Sequence, residues 1–221
     1  MSADIIVSYD GTPNDDDALA LGQALAAGGA SLALAYVRHS REFDPAREEL
    51  AAHDARRRLD GGLALLGDDS LPTHVVFSAS TDSGLEQLAA AEGAKLIVFG
   101  SDYRTTPGRA EPGNTAQRLL EGAPVAVGVA QAGLRTELGT PISSIAAAPA
   151  DVPLARDAAQ ELAGRLGARL VSDGAPADLI VVASPPGGRP GRVSLSGSAR
   201  TVLNGTRGSV VVLPAGVSRL L

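Results

Sequence analysis

Short apolar runs alternate with longer amphipathic stretches along the chain. Ile5 to Tyr9, Leu32 to Val37, His74 to Phe77, Leu96 to Phe99 and Val125 to Val129 are almost wholly apolar, the pattern of strands covered on both faces. Between them, residues 14–28, 45–66, 82–93 and 114–122 place apolar side chains at helical spacing. Strands that alternate with helices predict a parallel sheet joined by right-handed crossovers. The first helix has a marked start. Thr12 is its expected N-cap, Pro13 suits the first turn, Asp15 is the acid of a capping box, and Gly28-Gly29 is the stop.

The second half repeats the first. Ala94 to Ser101 is answered by Ala177 to Ser184 at an offset of 83, with the apolar run and the final serine kept. Gly113-Asn114 with Leu119 is answered by Gly197-Ser198 with Leu203 at an offset of 84, which implies one extra residue in the intervening loop. Ala30-Ser31-Leu32 is answered by Ala168-Arg169-Leu170 at an offset of 138. The fall from 138 to 83 means that the second copy lacks 55 residues, equivalent to the second helix, third strand and third helix of the first. Strands near Ile145–Ala148, Arg169–Val171, Leu179–Val182 and Val210–Leu213 remain. The joint lies near Gln131 to Pro141, giving units of residues 1–131 and 141–221. By the crossover rule the shortened sheet loses one helix from each face, so its apolar surface should pack on the other half or on a second chain.

Composition narrows the class. Hydrophobic residues make up 44% of the 221 but aromatics only 3%, so Ala, Val, Leu and Ile must build the core. The absence of cysteine excludes disulfides, thiolate metal sites and cysteine nucleophiles, and fits a reducing compartment. The first residues carry no signal-peptide pattern, no apolar run has the length of a membrane span, and a net charge of −6 disfavours nucleic acid. The expectation is a cytoplasmic protein that binds neither membrane nor nucleic acid.

Specific features then accumulate in order: an apolar strand ending in Asp10-Gly11-Thr12, Gly93 to Ser101, Gly113-Asn114-Thr115, and Ala123-Pro124-Val125-Ala126-Val127. In this order they resemble the universal stress protein family over about residues 3 to 130, and Leu179 to Pro214 resembles it again. The resemblance implies two tandem α/β/α domains of the adenine nucleotide alpha hydrolase-like type, with strand order 3-2-1-4-5 and the second domain lacking one strand and two helices. It implies pairing of the halves, as a pseudo-dimer, through their fifth strands, and a possible homodimer. It also implies a site for ATP or a related adenine nucleotide, with or without magnesium, and a regulatory role in stress response. The site residues carried over are Ser8, Asp10, Gly11, Val37, Gly100, Ser101, Gly113, Asn114 and Thr115. Nucleotide-binding relatives carry Gly, two residues, Gly, nine residues, Gly, then Ser or Thr; here Tyr103 stands at the middle glycine and Asn114 follows the last.

The physical reading agrees with that site. In the implied 3-2-1-4-5 sheet the strand order reverses between strands one and four, where ligands of open α/β sheets bind. Asp10 would accept hydrogen bonds from ribose hydroxyls or an adenine amino group, and the resemblance implies that main-chain groups of Val37 meet the base. Gly113, Asn114 and Thr115 open a helix whose free N–H groups suit a phosphate, with Arg104 and Arg109 in the preceding loop as added charge. The second copy has Ala148 or Pro149 in place of Asp10 and Ala183 in place of Gly100, and reads as a packing partner.

Asp15, Asp16 and Asp17 read as first-turn acids favoured by the helix dipole, because successive helical residues point apart. Arg56-Arg57-Arg58 reads as a solvated face. His39, His53 and His74 lack ligand spacing, and no nucleophile or acid–base pair stands out, so no dedicated catalysis and no metal are expected. The rival readings are a scaffold of this fold that uses no nucleotide, and an adenylating enzyme, for which Asp10-Gly11-Thr12-Pro13 lacks the serine- and glycine-rich loop.

Overall fold

The computed structural model describes residues 2–149, 152–205 and 207–221. The first half runs β1 (Ile5–Ser8), α1 (Pro13–Ala26), β2 (Leu32–Arg38), α2 (Pro45–Leu66), β3 (Thr73–Phe77), α3 (Thr81–Glu92), β4 (Leu96–Phe99), α4 (Asn114–Leu119) and β5 (Ala126–Val129). A single 3-10 turn, Leu134–Glu137, leads to the second half. That half runs β6 (Ser144–Ala147), α5 (Pro153–Leu166), β7 (Arg169–Val171), β8 (Leu179–Ala183), α6 (Gly197–Gly205) and β9 (Ser209–Leu213).

All nine strands form one sheet, ordered β3-β2-β1-β4-β5-β9-β8-β6-β7. Every neighbour is parallel except β5 and β9, which run antiparallel with Val127 opposite Val212 and Val129 opposite Val210. Two half-sheets of opposite direction therefore meet at their fifth strands, related by an internal twofold axis through that pair. Joining them removes two apolar strand edges at once.

The two missing helices come one from each face. α1, α2 and α5 pack on one side with Leu19, Leu25, Leu59, Leu63, Ala159 and Leu162. α3, α4 and α6 pack on the other with Leu85, Ala116, Leu120, Ala199 and Leu203. Each core runs unbroken across both halves, so the second half's sheet is buried jointly with the first. The exposed remainder is confined to the short edge β7, where Leu170 is 41% exposed on the face that a counterpart of α2 would cover.

The repeat persists in the hydrogen bonds. Buried Ser101 donates to the Ala130 carbonyl at 2.6 Å and accepts from Glu111 N–H at 3.1 Å. Buried Ser184 does the same with Leu213 at 2.7 Å and Ser194 at 2.8 Å. Gly113 and Ser196 are the residues that precede α4 and α6, and each accepts the first helical bond, from Gln117 and Arg200. The spacing is 83 at every one of these pairs. The extra loop residue implied by the glycine match is therefore absent: Ser196, not Gly197, is the counterpart of Gly113. Both residue types suit an N-cap, so the position is set by the role and not by the glycine.

Candidate functional site

The candidate notch lies at the switch point of the strand order, between the carboxyl ends of the parallel neighbours β1 and β4. Their register, Val7 opposite Val98, brings Asp10 level with Ser101. The β1–α1 turn is built as the pattern predicts. The Asp15 carboxylate accepts from Thr12 N–H at 3.0 Å, Thr12 hydroxyl at 2.7 Å and Asp10 N–H at 3.1 Å. Gly11, at φ +81°, supplies the left-handed residue that this turn needs. The Asp10 carboxylate itself has no hydrogen-bond partner among the described residues. Its side chain reaches solvent, yet the surrounding loops desolvate it enough to push its pKa up. Asp15 adds to that rise, while Arg58 and His39 oppose it.

The glycines of the motif have different functions. A Cβ on Gly100 would lie 2.5 Å from the Asn14 carbonyl carbon, because the end of β4 lies against the first turn of α1. Asn14 then donates its side-chain N–H to the Ser101 carbonyl at 3.0 Å. Gly100 serves packing. A Cβ on Gly113, whose φ of −70° any residue can adopt, would meet nothing within 4 Å. The space in front of α4 is open, and Asn114 and Thr115 spend their side chains on no partner among the described residues.

Other carried-over residues divide similarly. Ser8 is buried at the end of β1, and the Ser101 hydroxyl points inward to Ala130, so the side chain of Ser101 anchors the loop. Val37 pairs with Val76, and its side chain packs on Gly84 of α3. Tyr9 N–H binds the Ala35 carbonyl and Ser78 N–H the Arg38 carbonyl, so strand alternation turns the main chain of Val37 towards β1 and the notch. Tyr103 is 71% exposed with Arg104 stacked on its ring at 4.8 Å, and does not plug the notch.

Arg109 is not available to a phosphate. It donates to the Asn204 carbonyl at the end of α6, at 2.6 Å. Its counterpart Arg192 donates to the Gly122 carbonyl just beyond α4, at 2.9 Å. Gly108 and Gly191 back this exchange through the Ala132 and Ala215 carbonyls. The loop after the fourth strand in each half is thus an arm that grips the other half.

The second half lacks the notch chemistry for two reasons. The Ser196 hydroxyl accepts from Ala199 N–H at 3.1 Å and contacts Ser198, filling the space that stands open at Gly113. The register of Ile145 with Leu179, matched to Ile5 with Leu96, puts the counterpart of Asp10 at position 150, outside the described residues and an alanine in sequence. Ala148 and Pro149 correspond instead to Ser8 and Tyr9.

Arg58 was not expected here. It donates to the Asp10 carbonyl at 2.7 Å and lies 5.5 Å from the centre of the Tyr36 ring. Its signal was its place beside Leu59, three residues from Ala55 and four from Gly62, on the flank of the buried stripe of α2. Arg57 pairs with Asp54, so the three arginines do not share a face. The three aspartates also separate: Asp15 closes the capping box, Asp16 accepts from the Tyr9 hydroxyl at 3.0 Å, and Asp17 turns inward. Asp17 accepts from Gly133 N–H at 2.9 Å, Arg135 N–H at 2.7 Å and the Arg135 guanidinium at 2.9 Å, fixing the inter-half linker to α1.

Strand order and register define a tandem α/β protein whose complete half-sheet has its switch point between β1 and β4. A family model for universal stress proteins matches residues 1–131, and the chain belongs to the universal stress protein family. A structure from Pseudomonas aeruginosa PAO1, of a protein of unknown function, shares 19% identity, covering 96% of this chain and 93% of that one, with a TM-score of 0.59. A universal stress protein from Archaeoglobus fulgidus shares 13% identity, covering 98% and 100%, with a TM-score of 0.54. These likenesses are of fold. No curated protein matches in sequence. Among the described residues no helix is long and apolar enough to cross a membrane.

Proposed function

We propose that the first half binds one adenine nucleotide per chain, ATP or a close relative, and that the protein acts by reporting this occupancy in a stress response and not by turnover. The observation that carries the reading is the unpartnered Asp10 carboxylate at the switch point, level with the loop that leads to the open space before Gly113. The carboxylate accepts the ribose hydroxyls or the adenine amino group. Main-chain groups of Val37 and Gly11 border the base side. The first N–H groups of α4, at Asn114 and Thr115, meet the phosphates. Arg58 holds the Asp10 loop in place through its carbonyl.

A nucleotide-free scaffold of the same fold is the second reading, favoured by the diversion of Arg109 to the other half and by Tyr103 at the motif's middle position. Equilibrium binding of labelled ATP separates the two. The first reading expects saturation near one nucleotide per chain and loss of binding in Gly113→Val. Absence of saturable binding, with no nucleotide released from purified protein, establishes the scaffold.

A further inference from the structure

α4 and α6 lie on the same sheet face, on either side of the internal twofold axis. Between them is a cavity of about 220 Å³, which the notch does not use. Its lining is paired across the axis: Leu120 with Leu203, Gln117 with Arg200 and Glu121 with Asn204, each pair 83 residues apart. The apolar pair matches, and both leucines are buried. The polar pairs do not match. One half contributes a cation, Arg200, and the other an anion, Glu121.

These two charges line one cavity without pairing with each other, and neither has a partner among the described residues. Gln117, by contrast, is engaged with the Pro112 carbonyl at 2.9 Å. The walls are set in advance, because Arg109 and Arg192 hold the carbonyl ends of α6 and α4. A preformed site loses less ordering entropy on binding.

We propose that this cavity binds a small zwitterion, a free α-amino acid with an aliphatic side chain. The ligand carboxylate meets the Arg200 guanidinium, its ammonium meets Glu121, and its side chain lies against Leu195, above the buried Leu120 and Leu203. A simple anion is repelled by Glu121 and a simple amine by Arg200, so only a ligand carrying both charges satisfies the cavity. Because its two charge contacts come from different halves, the ligand bridges them.

The test is a titration of isotope-labelled protein with leucine, followed by amide chemical shifts. Saturable shifts are expected at Leu120, Leu203 and Asn204, with a dissociation constant on the order of 1 mM, ordinary for a small open site. Arg200→Gln and Glu121→Asn install the residue found at the matching position of the other half. Both sites face solvent, Arg200 on α6 and Glu121 in the turn after α4, and unchanged melting temperatures check that the variants fold. Each variant should weaken binding about tenfold or more, the loss of one charged hydrogen bond. Isocaproate and isopentylamine, which each lack one charge, should weaken it similarly. Absence of saturable shifts at these amides overturns the proposal. So does equal binding by the variants, or equal binding of the singly charged analogues.

Discussion

Two glycines of one motif should respond oppositely to a single added carbon. At Gly100 a Cβ collides with the main-chain carbonyl group of Asn14, in the first turn of α1, and no side-chain rotation relieves it. Either β4 or α1 must move, and both are anchored: by the Val7–Val98 ladder and by the Asp15 capping box. Overpacking of this kind costs about 1–3 kcal/mol, and main-chain obstruction belongs at the upper end. For a chain of this size about 3 kcal/mol lowers the melting temperature by roughly 6–12 °C. Gly113→Ser meets open space, keeps an allowed φ and copies Ser196, so its stability should change by less than about 0.5 kcal/mol. It should nevertheless weaken ATP binding, because its side chain enters the space assigned to phosphate. Urea denaturation of Gly100→Ala, Gly113→Ser and the parent protein, alongside ATP titrations, reads all of these effects. A Gly100→Ala protein as stable as the parent refutes the packing argument, and Gly113→Ser with undiminished ATP affinity refutes the phosphate assignment.

Three further outcomes follow from the geometry. Asp17→Ala removes a buried carboxylate that accepts three hydrogen bonds from the linker, and should cost about 2–4 kcal/mol in denaturant unfolding; a loss below about 1 kcal/mol would mean that the linker is held by other contacts. Ser101→Ala and Ser184→Ala should each cost about 1–2 kcal/mol and agree closely, since each strands one loop N–H in the same network; a neutral effect at one of them would break the equivalence of the halves. The raised pKa of Asp10 predicts that nucleotide affinity, present above that pKa, declines as pH falls through it, starting at higher pH than for an ordinary aspartate. The same shift has the opposite sign for folding, because the fold disfavours the charged form, so the penalty from Asp10 is relieved as pH falls. Asp10→Asn should remove the Asp10 share of both dependences, as seen by difference from the parent protein in binding and unfolding measured across the acidic range.

The apolar runs were sufficient to place the strands, because a strand buried on both faces leaves a nearly continuous signal. The capping box of α1 was equally local, with its residues three apart. The order of the strands was not local, and entered only with the family resemblance. Errors arose where a contact spans the chain. Asp17 has the address of a first-turn acid, but its partners Gly133 and Arg135 lie in the linker. Arg109 sits in the loop expected to face phosphate and points instead to Asn204 in the other half. The match of Gly113 to Gly197 followed residue identity, whereas the helix start conserves a capping role that serine fills equally well. Gly100 and Gly113 look alike in sequence, and only their surroundings separate packing from access.

The central claim is that nucleotide sits in the first half alone, between the ends of β1 and β4. A crystal structure of the protein grown with an excess of ATP tests it directly. The account predicts one nucleotide per chain, its ribose or base on the Asp10 carboxylate and its phosphates before Gly113, with the region before Ser196 free of nucleotide. Nucleotide bound before Ser196, or bound in the first half away from Asp10, would contradict it.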